Sequence, residues 1–320
     1  MSHRRRRNVR TKTRRSNGIS TWNWSSFDPS LLAQRKAQQG CVVSVCLPAR
    51  NEQLTIGPIV ASIRRHLQDY VALVDELIVI GDGSNDRTAI VAADAGATVI
   101  DVETVLPSFG PPLGKGDVVW RSLATSSGDI VVWCDSDITT FGPQFVYGLL
   151  GPLLTIPAVQ FTKGCFDRTG DDDVTGGRVT ELLAKPLLGL VRPELAVLDQ
   201  PLSGSYAGRR SLLEQLEFEP DFGVEVGLLI DTIDLVGSAA IAQVELGTLR
   251  HPHRTIAQLV PQTAGVARAV LRRCPGLDVE TAVDLLRLES GNSVDLSTVR
   301  RPPLAELRTN TGTTETQPGC

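Results

Sequence analysis

From residue 41 onward the apolar positions alternate between two rhythms, short unbroken runs and the i, i+3, i+4 spacing of a helix face. Residues 42–47 form an apolar run that ends at Pro48. Ile56, Ile59, Val60, Ile63 and Leu67 then recur at helical spacing, with Thr55 placed to cap and Pro58 tolerable in the first turn. A second run covers residues 77–80, and Asp86 opens a helix that ends at Gly96. Residues 98–100 make a third strand, 115–125 a helix, and 129–134 a fourth strand. The unbroken Ile130-Val131-Val132-Trp133 predicts a strand covered on both faces, as in a parallel sheet. Strands separated by helices and short loops make this an α/β layered domain.

The second half is less regular. Residues 158–163 predict a strand and 167–173 a polar loop. Residues 177–190 predict a helix kinked or broken at Pro186. Residues 224–236 are apolar nearly all round, so they predict a buried helix. Residues 241–246 read as a late strand, and 255–272 as a helix interrupted near Pro261. Past Pro302 the composition turns to Thr, Asn, Gln and Gly, which predicts a disordered tail. No internal repeat is visible.

Charge adds a second pattern. Residues 1–15 hold eight basic side chains, and the first acidic residue is Asp28. With a net charge of −4 over 320 residues, residues 16–320 carry −12. An acidic body argues against nucleic acid as the main partner. The basic tail reads as a solvated, disordered extension, with contact to nucleic acid or an anionic membrane as the alternative. No run approaches the roughly 18 apolar residues of a membrane span. No apolar segment follows the basic residues, as a secretory signal would require. The six cysteines show neither a CxxC pair nor zinc-like spacing. These features predict a soluble cytoplasmic protein.

The candidate chemistry gathers where strands end. The fourth strand runs into Asp135-Ser136-Asp137, two carboxylates where open α/β sheets bind ligands. Such a pair, with substrate phosphate oxygens, holds a hard cation such as Mg²⁺ or Mn²⁺. Strand one runs into Pro48-Ala49-Arg50-Asn51-Glu52 and strand two into Gly81-Asp82-Gly83-Ser84-Asn85-Asp86. The latter fails as G-x-G-x-x-G, because Asp86 holds the last position. Gly114-Lys115-Gly116 precedes a helix and suits a phosphate, although it is not a Walker loop. Each motif alone has an ordinary explanation as a turn or helix start. Together, Glu52, Asp82, Asp135, Asp137 and Lys115 outline a nucleotide-diphosphate and metal site on one sheet edge.

Pro-Ala-Arg-Asn-Glu, Asp-Gly-Ser-Asn-Asp-Arg-Thr and Asp-Ser-Asp, in this order, resemble the nucleotide-binding half of GT-A glycosyltransferases of the family-2-like type. Further blocks narrow the resemblance to actinobacterial glucosyl-3-phosphoglycerate synthases. They are Gly176-Gly177-Arg178-Val179-Thr180-Glu181-Leu182, Gln200-Pro201-Leu202-Ser203-Gly204, residues 223–231 and residues 241–244. The match covers roughly residues 40–260. It implies an extension at 1–40, a GT-A domain at 41–300 divided into nucleotide (41–138) and acceptor (139–300) halves, and a disordered tail at 301–320.

The resemblance also implies a reaction. Glucose passes from UDP-glucose to 3-phosphoglycerate with retention, giving glucosyl-3-phosphoglycerate and UDP, the first step toward glucosylglycerate and methylglucose lipopolysaccharide. By the same resemblance, Pro48, Ala49, Glu52, Asp82 and Lys115 line the uridine diphosphate site. Asp137 and His251 hold Mg²⁺ or Mn²⁺, with Asp135 beside them. Gly177, Arg178 and Thr180 bind the acceptor's phosphate and carboxylate. Glu225 is an active-site acid near the sugar, and the backbone at Leu202 flanks the donor. Members are commonly dimeric, and the sequence alone fixes no oligomeric state.

Three positions depart from the family pattern: Gly81 in place of an aspartate, Phe222 in place of a tyrosine, and a short acidic loop at 166–173. The rivals are a mannosyl-3-phosphoglycerate synthase using GDP-mannose, a polyprenyl-phosphate glycosyltransferase, a sugar nucleotidyltransferase, and a catalytically dead nucleotide-sugar-binding protein.

Overall fold

The computed structural model describes residues 14–167, 177–249, 255–277, 285–287, 293–295 and 299–311. The apolar runs become strands whose side chains alternate between two separate cores. On β3 (Val43–Ala49), Val45 and Leu47 enter one core and Cys46 the other; on β6 (Ile130–Trp133), Ile130 and Val132 oppose Val131 and Trp133. That double burial is what an unbroken apolar run predicts.

Nine strands form one sheet in the order β1-β2-β9-β7-β8-β6-β3-β4-β5. Besides β3 and β6 they are β1 (Arg14–Ser16), β2 (Ile19–Asn23), β4 (Glu76–Gly81), β5 (Thr98–Asp101), β7 (Phe161–Asp167), β8 (Tyr206–Arg209) and β9 (Ile241–Thr248). The pairs β6–β3, β3–β4 and β4–β5 are parallel, whereas β8 runs antiparallel to both its neighbours, β6 and β7. From β3 the chain builds outward through β4 and β5, then returns to the other side of β3 as β6. The order reverses there, and crevices at such switch points bind ligands beyond the strands' carboxyl ends. A two-stranded hairpin, β10 (Leu285–Arg287) with β11 (Ser293–Asp295), is separate.

The helices are α1 (Pro29–Gln39), α2 (Ile56–Ile63), α3 (Thr88–Asp94), α4 (Lys115–Thr125), α5 (Gln144–Thr155), α6 (Lys185–Val191), α7 (Arg210–Leu213), α8 (Val224–Val236), α9 (Ile256–Leu271) and α10 (Leu304–Thr311). The buried helix predicted at 224–236 is α8, with Val224 to Ile230 all buried. The break predicted at Pro186 is a change of winding: a π-helical stretch over Thr180–Ala184 passes into α6, where Pro186 sits in the first turn. The interruption expected at Pro261 does not occur. α9 runs through it, since one proline in the second turn removes a single backbone bond from a helix whose far end is buried against α8. Its start is fixed by a capping box between Thr255 and Gln258.

Two expectations at the chain ends are corrected. Residues 14–39 are not a solvated extension, because β2 pairs with β9 and buries Ile19. α1 starts on an Asp28 cap, and Trp22 packs on Phe27 and Trp24 on Tyr147. Phe27 fills the space over Gly151 of α5, where a Cβ would fall 2.4 Å from its ring. The basic residues before Arg14 lie outside the described residues.

At the other end, residues 301–311 are folded. The Arg301 guanidinium reaches the fully buried Asp117 of α4, which Arg121 also pairs. Trp120 Nε1 donates to Pro302 O at 2.9 Å, and Leu304 is buried. Ending the chain at residue 298 therefore removes one of two cations from a buried carboxylate. Urea unfolding should show a loss of about 3–5 kcal/mol; a disordered tail would leave the midpoint unchanged.

Candidate active site

The carboxyl ends of β3, β4 and β6 are laced together by their own loops. Asn51, in the left-handed region at φ 60°, accepts from Asn85 N at 2.9 Å, and its own N–H reaches Ser84 Oγ at 3.0 Å. Glu52 N donates to Thr88 Oγ1 at 2.8 Å. Thr55 does not cap α2 as expected; its hydroxyl donates to Ser136 O at 2.6 Å. The Ser136 hydroxyl donates to Pro48 O, also at 2.6 Å. The central serine of Asp-Ser-Asp thus ties both flanking carboxylates to the β3 loop, and Asp135 and Asp137 line the cavity.

That cavity, about 500 Å³, is open at this sheet edge. Pro48, Ala49, Glu52, Asp82, Lys115, Asp135, Asp137, Leu202, Gly177, Arg178, Thr180 and Glu225 all line it. They come from distant parts of the chain, so their convergence is a result of folding. His251 lies outside the described residues, as does most of the acidic 166–173 loop. Sequence reasoning missed Arg50, Ser136, Leu259 and Gln262 as lining residues. The last two come from α9, whose amphipathic pattern carries no signal of a site.

Lys115, the first residue of α4, is the centre of the charge arrangement. Its Nζ donates to Asp135 Oδ1 at 2.8 Å and lies 2.8 Å from Glu225 Oε1. The contact with Glu225 is an ion pair, and its Oε1 has no hydrogen-bond partner among the described residues. Burial pushes the Lys115 pKa down, but Asp135 and Glu225 outweigh it and hold it well above the usual lysine value. The charge therefore persists throughout neutral pH and is lost only as alkalinity rises past the ordinary lysine range. Half-burial raises the Asp82 pKa, against the opposing effect of Arg50 3.8 Å away.

The glycines beside Lys115 serve close packing. A Cβ on Gly116 would lie 1.9 Å from Glu219 O, and Asp117 N donates to Pro220 O at 2.9 Å. The expected phosphate cradle at this helix start therefore has one of its amides taken by the chain itself. Gly204 is equally confined, since a Cβ there would fall 2.0 Å from Asp135 Oδ1.

Comparison with known proteins decides the family. The pattern of "Glycosyl transferase family 2" matches residues 44–216. The chain belongs to glycosyl transferase family 2. A glucosyl-3-phosphoglycerate synthase of Mycolicibacterium smegmatis is 43% identical over 297 residues, covering 90% of this chain and 96% of that protein. The crystal structure of the Mycobacterium tuberculosis glucosyl-3-phosphoglycerate synthase with Mn²⁺, UDP-glucose and phosphoglyceric acid is 45% identical. It superposes with a TM-score of 0.80 over 88% of this chain and 96% of that one. Mannosyl-3-phosphoglycerate synthase from Rubrobacter xylanophilus is 36% identical, with a TM-score of 0.80 over 90% and 95%. As a family 2 glycosyltransferase the chain has the GT-A fold, and its β3 to β8 core lies within the matched residues. No helix among the described residues is long and apolar enough to cross a membrane.

The Lys115 arrangement makes a stability prediction. Lys115→Met takes from Glu225, only 3% exposed, its ion-pair partner and should cost about 3–5 kcal/mol. Adding Glu225→Gln should recover most of that loss, a coupling that a double-mutant cycle in urea measures. Strictly additive effects would show that the pair is not coupled.

Proposed function

We propose that this chain transfers glucose from UDP-glucose to 3-phosphoglycerate with retention, releasing UDP and glucosyl-3-phosphoglycerate. The observation that carries the reading is the single cavity. Pro48, Ala49, Glu52, Asp82 and Lys115, read as the nucleotide residues, and Gly177, Arg178 and Thr180, read as the acceptor residues, all line it, so both substrates would meet at one place. A relative's structure that holds UDP-glucose and phosphoglyceric acid together supports a reading in which one chain takes both.

Pro48, Ala49, Glu52 and Asp82 hold the uridine part, and Lys115 faces the diphosphate. Arg178 offers a planar fork of donors that matches phosphate or carboxylate, with Gly177 and Thr180 beside it. The Leu202 backbone flanks the sugar, with Glu225 below it.

The chemistry of the wall fits a divalent cation. Among the described lining residues five carboxylates (Glu52, Asp82, Asp135, Asp137, Glu225) face three cations (Arg50, Lys115, Arg178), so a bare diphosphate is repelled. Among the described residues no three His, Cys, Asp or Glu side chains are placed to hold a metal ion together, so a metal needs ligands besides Asp137. His251 and diphosphate oxygens are the proposed ones. When bound, Mg²⁺ or Mn²⁺ supplies positive charge to the departing diphosphate.

As the anomeric C–O bond to phosphate breaks, Lys115 stabilises the negative charge that develops on the leaving oxygen. Glu225 is buried and held against Lys115, an arrangement that suits an electrostatic brace better than a nucleophile. Same-face attack is therefore the favoured route to retention. The acceptor hydroxyl adds to the anomeric carbon, and its proton passes to the departing phosphate oxygen. The described cysteines form no disulfide, and with the metabolic substrates this supports a cytoplasmic site of action.

Nucleotide release tests the reading. Purified protein should release UDP from UDP-glucose only with both 3-phosphoglycerate and Mg²⁺ or Mn²⁺ present. Asp137→Ala and Arg178→Ala should each lower the rate by about a hundredfold or more. Release without acceptor, or only with a lipid phosphate, would overturn it. Faster turnover of GDP-mannose would favour the mannosyl reaction of the Rubrobacter relative.

A further inference from the structure

Beneath the cavity wall lies a second lysine that the reaction does not use. Lys163, on β7, is fully buried, and no carboxylate among the described residues lies within ion-pair distance of it. Its Nζ donates to Ser203 O at 2.6 Å and sits 4.6 Å from the centre of the Tyr206 ring. A lysine is seldom buried without a counter-charge, so the position needs an explanation.

The carbonyl it holds belongs to the turn between Asp199 and β8, which presents Leu202, Ser203 and Gly204 to the cavity. That turn is fastened from below by neighbouring strands. Asp199 N donates to Gln243 Oε1 of β9 at 2.7 Å, and Gln200 Nε2 to Phe166 O of β7 at 2.7 Å. Gly164 N reaches Ser205 O at 2.8 Å. Lys163 is the tether nearest the wall, at the Ser203–Gly204 peptide. Because Gly204 has no spare room against Asp135, movement of that peptide is transmitted to Asp135 and so to Lys115.

We propose that Lys163 is a positioning residue, setting the 202–204 backbone through the Ser203 carbonyl and taking up a proton when the anionic donor binds above it. The inference rests on the cavity being a nucleotide-diphosphate site. Burial pulls the Lys163 pKa from the ordinary 10.5 to about 7, so the group is partly neutral at physiological pH. Glu225 of α8 and Asp135 beyond β6 favour its proton, and Lys115 of α4 opposes it. Its neighbour across β8, Tyr206, is a neutral phenol, because burial raises that pKa well above the usual value. Gln243, opposite on β9, carries no charge. An arriving diphosphate adds negative charge and raises the Lys163 pKa. Donor affinity should thus be greatest below pH 7 and weaken as pH rises through the bound-state value.

Calorimetric titration of UDP with Mg²⁺ into the full chain, in two buffers of different ionisation heat near pH 7, reads proton uptake directly. The wild-type chain should take up protons. Lys163→Gln keeps an amide donor, on a shorter side chain, but no titrating charge; it should bind without that uptake. Lys163→Met lacks both and should bind about tenfold more weakly. Neither substitution should unfold the chain. A lysine with a depressed pKa lowers stability below pH 10.5 relative to a neutral side chain, and methionine matches its volume. Thermal melting checks this. Equal proton uptake in all three proteins, or unchanged UDP affinity in Lys163→Met, would overturn the proposal. Failure of the wild-type chain to bind UDP would instead overturn the reading of the cavity itself.

Discussion

The contact on which the site depends is Lys115 Nζ between the carboxylates of Asp135 and Glu225. Those three side chains come from the start of α4, the end of β6 and the first turn of α8. The contact therefore joins the two halves of the chain at the cavity floor. It forms only because backbone approaches very closely on either side: Gly116 against Glu219 and Gly204 against Asp135. Glu225 is nearly inaccessible, so its charge is tolerable only beside a cation. The lysine is thus a structural counter-ion in the folded chain and, in the proposed reaction, the group that meets the departing diphosphate.

Charge explains how an acidic protein handles phosphorylated substrates. Residues 16–320 carry −12, and the described cavity lining has more carboxylates than cations. Net charge argues against an extended anionic surface as the main partner, but binding in a crevice follows local fields. Lys115 and Arg178 both line the cavity, and the excess of carboxylate calls for a divalent cation. The buried tethers below the wall, Lys163, Gln200 and Gln243, hold backbone in place without facing substrate.

The nucleotide half was legible because parallel strands leave an unmistakable trace. Apolar runs such as Ile130–Trp133 end abruptly in Asp-Ser-Asp or Pro-Ala-Arg-Asn-Glu, and a switch-point sheet carries its ligands at those ends. The proposed acceptor residues Gly177, Arg178 and Thr180 came from resemblance, since no periodicity marks them. The chain ends were misread for physical reasons. β2 and α1 are held by Trp22, Trp24 and Phe27, an aromatic cluster masked by its basic surroundings. Arg301 binds by ion pairing, which a polar composition hides. Lys163 sits in a buried strand, and its proposed role follows only from the Ser203 carbonyl that folding brings to it. Leu259 and Gln262 look like ordinary positions of an amphipathic helix.

The most direct measurement is the anomeric configuration of the product. Incubation with UDP-glucose, 3-phosphoglycerate and Mg²⁺, followed by NMR, should show an α-glucoside, with the small H1–H2 coupling of that anomer and a three-bond correlation from H1 across the glycosidic oxygen to a glycerate carbon. A β-glucoside would contradict same-face transfer at this cavity. Free glucose as the main product, with phosphoglycerate unchanged, would contradict transfer to the acceptor altogether.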